Sequence, residues 1–144
     1  MKRFHLRPSA SLLLSAALIA LLLSACGANN KPTMPDFVVQ APPRVEEMYH
    51  YAIEHSDDLA AVPCYCGCGN MGHTSNLSCY IQERKPDGSI VFDSHATGCG
   101  ICVDIAQDVK RMRAEGKSLS EVRTVIDATY GSYGPGTNTP LPEE

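Results

Sequence analysis

The sequence has no tryptophan and only three phenylalanines in 144 residues. With so few large aromatics the core gains only a modest margin for its size, and a staple such as a metal or a disulfide would help it. Positive charge is scarce as well: 12 Lys+Arg stand against 16 Asp+Glu. That balance disfavours nucleic-acid binding. No Ser/His/Asp set, paired carboxylates or glycine-rich phosphate loop stands out, so an enzyme reading lacks support. There is no internal repeat, and one domain is the default for this length.

What is present begins with a leader. Lys2, Arg3 and Arg7 form a positive segment, and Leu12 to Leu23 is an apolar run too short for a spanning helix of about 20 residues. Leu23-Ser24-Ala25-Cys26 follows and resembles a bacterial lipobox, whose cysteine is lipidated and becomes the mature N-terminus. The expectation is a lipoprotein signal peptide over residues 1–25 and lipidation (palmitate included) at Cys26. An ordinary signal peptide or a short anchor is the plainer reading. Taking three of the 12 basic residues away with the leader leaves nine against 16 acidic ones, a formal charge of −7. The product is then held at the outer face of a bacterial membrane, cell membrane or outer membrane, by its lipid rather than by charge. Outside the cytoplasm disulfides can persist, so the six cysteines after Cys26 must also be weighed as bridges.

Residues 26–43 carry Asn29-Asn30, Pro32, Pro35, Pro42 and Pro43 with little periodicity, and read as an extended tether. A helix is expected from Pro43 or Arg44, since proline suits a first helical turn. Val45, Met48, Tyr49, Ala52 and Ile53 make its apolar stripe. His50 and His55 lie off that stripe and read as solvated. Pro86-Asp87-Gly88 is a turn signal between the extended runs Cys79–Gln82 and Ile90–Phe92, a short β-hairpin. From Gly100 to Glu115, Cys102, Ile105, Ala106, Val109 and Met112 share a face, and Gly116 is the C′ residue. Ser118-Leu119-Ser120-Glu121 is a capping box. It opens a helix whose stripe is Leu119, Val122, Val125, Ile126 and Tyr130. Residues 132–144, rich in Gly, Pro, Thr and Asn, read as a disordered tail. The expected fold is a small, mainly α, α+β domain over residues 44–131. It comprises an N-terminal helix, an irregular cysteine-rich loop, a short β-hairpin and a C-terminal αα-hairpin.

The chemistry lies in the sulfurs. Pro63-Cys64-Tyr65-Cys66-Gly67-Cys68-Gly69 packs three thiols into five residues. Two glycines disfavour a core helix there and favour a tight loop that wraps the thiols around one centre. Downstream, His73, Cys79 and His95 precede Cys99-Gly100-Ile101-Cys102, a C-x-x-C at a helix start, where the macrodipole favours thiolate. Thiolate serves both metal binding and redox work. Four of these groups complete a tetrahedral Zn2+ site, and a thiolate-rich set also suits Cu(I). Cys-x-Cys-x-Cys is unusual for structural zinc fingers, which shifts weight towards Cu(I) or a thiolate-bridged cluster. Eight donors exceed one site: two sites, a multinuclear cluster, or one site plus a disulfide would use them. The plain alternative is three disulfides, for which six cysteines allow many pairings. Disulfides, however, have no use for His73 and His95.

The run PCYCGC at Pro63–Cys68 continues through Gly72-His73, Cys79, His95, Cys99 and Cys102 into a helical pair. It resembles the bacterial PCYCGC-motif lipoproteins. That resemblance implies a lipidated, exported, cysteine-rich domain and brings no activity with it. From Cys99 to Gly131, a C-x-x-C leading a helix, a Gly-Lys-Ser turn and Tyr130-Gly131 are also similar to the thiol-oxidoreductase subunit of cytochrome c maturation. There, Cys99 and Cys102 would be a redox pair acting on apocytochrome thiols or haem handling. The flanks depart from that family's Arg-Cys-Pro-x-Cys, and the upstream loop has no counterpart in it. The sequence therefore points to binding of Cu(I), with Zn2+ next, by Cys64, Cys66, Cys68, His73, Cys79, His95, Cys99 and Cys102. The role is sequestration or delivery, with a metal donor or acceptor protein as partner. A membrane-anchored dithiol oxidoreductase and a disulfide-stapled interaction module are the alternatives.

Overall fold

The computed structural model describes residues 32–142. The expected signal peptide, Cys26 and the first part of the tether lie outside the described residues. The element order is α1 (Asp36–Val39), α2 (Pro43–Glu54), α3 (Ser56–Ala60), 3-10 turns at Cys68–Met71 and Asn76–Cys79, β1 (Ile81–Arg84), β2 (Ile90–Phe92), α4 (His95–Gly98), α5 (Gly100–Ala114) and α6 (Leu119–Tyr130). This is a small α+β fold, mainly helical. Among the described residues no helix is long and apolar enough to cross a membrane.

The helices form where apolar periodicity and caps agree. Pro43 opens α2, and Val45, Met48, Tyr49 and Ala52 face the core, with Ile53 half-buried at its edge. On α5, Cys102, Ile105, Ala106, Val109 and Met112 are buried as their spacing predicts. Gly116 has φ +84°, and a Schellman pair closes α5: Lys117 N–H donates to Met112 C=O (3.1 Å) and Gly116 N–H to Arg113 C=O (3.0 Å). The capping box opens α6 in both directions, Ser118 Oγ accepting from Glu121 N–H (3.3 Å) and Glu121 Oε2 from Ser118 N–H (2.7 Å). Val122, Ile126 and Tyr130 of α6 are buried, whereas Val125, expected on the same stripe, is exposed. It lies three residues beyond Val122 but only one before Ile126, so it falls off the narrow face that meets α5.

Helix α5 is the central element and packs against both α2 and α6. Met48, Tyr49, Leu59, Val62, Tyr80, Ile105, Met112 and Ile126 are fully buried around it. Asp58 is buried with its charge answered: Tyr51 OH donates to Oδ2 (2.8 Å) and Arg113 Nε to Oδ1 (3.0 Å). This ties α2, α3 and the end of α5 together.

The hairpin is antiparallel, with Ile81 opposite Phe92 and Arg84 opposite Ile90, and a bulge between Ile81 and Glu83. Gly88 turns it at φ +85°. The first strand starts at Ile81 rather than at Cys79, because Cys79 closes the second 3-10 turn.

Two segments expected to be loose are built in. Within the proposed tether, residues 36–39 form α1, and its Val38 is fully buried. Apolar burial of one side chain outweighs the surrounding prolines there. Likewise the tail described to residue 142 docks on the cysteine loop. Thr137 N–H donates to Cys64 C=O (3.0 Å), and Cys64 N–H donates back to Thr137 Oγ1 (3.0 Å). Thr139 Oγ1 donates to Thr74 C=O (2.6 Å). A Cβ at Gly136 would sit 2.9 Å from the Tyr65 ring, so glycine permits the approach.

Candidate metal centre

Four chain segments deliver the donors. Gly67, at φ +85°, reverses the chain between Cys66 and Cys68, so consecutive cysteines converge instead of lining one face of a strand. Cys68 starts the first 3-10 turn and Cys79 ends the second. Gly72, at φ +91°, directs the chain into His73. His95 begins α4, and its N–H donates to Asp93 Oδ1 (2.7 Å). Cys99 is the N-cap of α5 and Cys102 lies in its first turn. The C-x-x-C thus occupies a helix N-terminus as the sequence predicts.

The eight sequence-selected groups meet. Cys66, His95, Cys99 and Cys102 present ligand atoms all within 4.8 Å of one another, as do Cys64, Cys68 and Cys79. The two groups touch. Cys64 Sγ lies 3.4 Å from Cys66 Sγ and 3.3 Å from Cys102 Sγ, and Cys102 Sγ lies 3.2 Å from Cys79 Sγ. Cys66 Sγ is 3.3 Å from His95 Nε2 and 3.6 Å from Cys102 Sγ, and Cys68 Sγ is 3.9 Å from Cys79 Sγ. His73 Nδ1 stands 3.5 Å from Cys79 Sγ. All six cysteines among the described residues are free, so the disulfide reading does not describe this arrangement. Sulfurs bound to one tetrahedral zinc at about 2.3 Å lie about 3.8 Å apart, close to the separations seen here. His50 and His55 stay outside. They line a groove of mixed charge between α2 and α5 with Glu47, Glu54, Lys110 and Arg113, and His55 stacks on Tyr51.

Three buried residues that ligand chemistry alone does not single out hold the cluster. The Cys102 carbonyl accepts from Tyr80 OH (2.9 Å) and from Asn76 Nδ2 (3.1 Å). Tyr49 OH donates to the Asp93 carbonyl (2.7 Å) and packs edge-on against Tyr80, ring centroids 5.1 Å apart. Asp93 in turn faces His73, Oδ2 to Nε2 3.6 Å. Of these supporting residues, the sequence pattern marks only Tyr49, on the apolar stripe of α2. On the other side, Tyr65 OH donates to Asp127 of α6 (2.7 Å), and Asp127 is gripped by Arg123. The cysteine loop is therefore fastened to α6 between two of its sulfurs.

The thiols are electrostatically unequal. Cys64 is held far below the ordinary thiol range because Cys102 and Cys79 share their protons with it. Cys102 is pushed up as the partner giving its proton to Cys64, and burial adds to this. Burial raises Cys66 and Cys68. Of these four thiols one gives up its proton readily and three reluctantly, so positive charge is what would bring them all to thiolate. Beside His73, Met71, Ser78, Gln82 and Asp93 line an open cleft of about 310 Å³.

Fold and site together define a small helical domain organised around an unbridged thiol–imidazole cluster able to hold metal. The chain belongs to the family described as "Protein of unknown function with PCYCGC motif", whose model matches residues 24–142. That match takes in the docked tail as well as the motif. No curated protein matches the chain, and no solved structure matches it.

Proposed function

We propose that this protein is an exported lipoprotein, anchored through Cys26 at the outer face of a bacterial membrane, that binds a soft metal ion for sequestration or delivery. Cu(I) is the favoured ion and Zn2+ the next. The observation that carries the reading is the meeting of six free thiols and two imidazoles from four segments, each within 4.8 Å of another donor. Sulfur outnumbers nitrogen in that set, and thiolate softness suits Cu(I). An isolated redox pair is less well supported, because the nearest sulfurs to Cys102 include Cys79 and Cys64.

The test is elemental analysis with free-thiol counting on the full chain, purified anaerobically in detergent. Stoichiometric copper or zinc, with thiols protected until a chelator is added, is the expected result. A metal-free protein with a Cys99–Cys102 disulfide equilibrating at a thioredoxin-like potential would replace this reading with the dithiol oxidoreductase. Three inert disulfides would replace it with a stapled interaction module. For the anchor, Cys26→Ser should abolish incorporation of labelled palmitate and leave the precursor unprocessed. Labelling that survives the substitution would refute lipidation at Cys26.

A further inference from the structure

The two groups of donors are unequal in a way that assigns one sulfur a special role. Cys66, His95, Cys99 and Cys102 are four groups around a common point, enough for a closed tetrahedral site. Cys64, Cys68 and Cys79 are three. The missing fourth donor of the second group has two claimants. Neither is gathered with the other three within 4.8 Å, and His73 touches just one of them, Cys79, at 3.5 Å. Cys102 Sγ lies 3.3 Å from Cys64 Sγ and 3.2 Å from Cys79 Sγ, while it also touches Cys66 of the first group at 3.6 Å.

We propose that the centre holds two metal ions that share the Cys102 thiolate as a bridge. The inference rests on the soft-metal reading above and adds the number of ions and their coupling. One ion takes Cys66, His95, Cys99 and Cys102; the other takes Cys64, Cys68, Cys79 and Cys102. A thiolate between two cations offsets their mutual repulsion, which is strong at short range in a buried site. The bridging sulfur is also firmly anchored. It stands in the first turn of the central helix, and its residue's carbonyl is gripped by Tyr80 and Asn76. His73 is then a positioning residue. Its Nδ1 faces Cys79 Sγ and its Nε2 faces Asp93, the outer-shell pattern that orients a ligand without replacing it.

The experiment loads the reduced full chain anaerobically with 113Cd2+, a thiol-seeking probe, and follows it by native mass spectrometry and 113Cd NMR. The expected result is two ions per chain at saturation and two resonances split by mutual coupling through the shared sulfur. One ion at saturation, or two resonances with no coupling, overturns the bridge while leaving soft-metal binding intact. No cadmium bound overturns both. His73→Ala should keep two ions and the coupling. Loss of the second ion in that variant would make His73 its fourth ligand and refute the shared Cys102. Cys102→Ser should abolish the coupling, and the wild-type spectrum decides the matter if that variant does not fold.

Discussion

At the scale of single residues, the Cys102 carbonyl concentrates the support of the site. It accepts from a tyrosine and an asparagine that are both fully buried. Tyr80→Phe removes one of the two donors and leaves the carbonyl still paired to Asn76. The expected loss is therefore about 1 kcal/mol of stability in urea unfolding of the metal-free chain, with metal affinity falling on the order of 10-fold as Cys102 loosens. Unchanged values for both would refute the anchoring role. The thiols add a pH dependence. Cys66 and Cys68 are raised by burial and Cys102 by sharing its proton. Unfolded thiols ionise near about 8.5 while these native ones keep their protons. The metal-free chain should therefore lose stability as pH rises through that value, whereas the loaded chain should lose its metal as pH falls. Urea midpoints above about pH 8.5 check the first, because below it the low-lying Cys64 adds stability as pH rises; a midpoint that rises with pH above that value would contradict the burial seen here. None of the supporting residues could be assigned from the sequence. Tyr80, Asn76 and Asp93 act through contacts between distant segments, and their types carry no ligand signal.

The helices that position the site were legible because local and global signals agree in them. α5 and α6 carry period-3.6 apolar faces, a Schellman glycine and a capping box. The donors were legible too, since thiols and imidazoles in glycine-broken stretches have few other uses. The tail was not. It has no periodicity, and it is held by threonine hydroxyls, backbone hydrogen bonds and Arg123, which donates to the carbonyls of Thr139 and Pro140. Composition alone reads such a segment as disordered. The docking makes a specific prediction. At Gly136→Ala the new methyl would meet the Tyr65 ring at 2.9 Å, and overpacking of this kind costs about 1–3 kcal/mol. The segment around Thr137 should come off the cysteine loop, seen as fast hydrogen exchange at the Thr137 amide, while α5 and α6 amides stay protected. Retained protection at Thr137 would mean the tail tolerates the methyl and is not held by close approach.

For the molecule as a whole, the cluster is the staple of a core whose fully buried aromatics are the two tyrosines Tyr49 and Tyr80. No tryptophan is present, yet Cys64, Cys68, Cys79 and Cys102 are all buried at the junction of the cysteine loop, the second 3-10 turn and α5. Without an ion these segments are joined by weak S–H contacts and by hydrogen bonds such as that from Tyr80. With one they are joined through coordination bonds that the unfolded chain cannot assemble at the same affinity, so binding free energy becomes folding free energy. Free ion at about 100 times its dissociation constant stabilises by about 2.7 kcal/mol, and each kcal/mol shifts the midpoint of a domain this small by about 4–8 °C. Loading with Cu(I) or Zn2+ should therefore raise the thermal midpoint by at least about 10 °C, and a chelator should reverse it. Because the staple joins the loop to α5 and not to the hairpin turn, protection should rise most in residues 62–80 and least around Gly88. A uniform rise, or none, would mean that the sulfurs do not hold the fold through a shared ion.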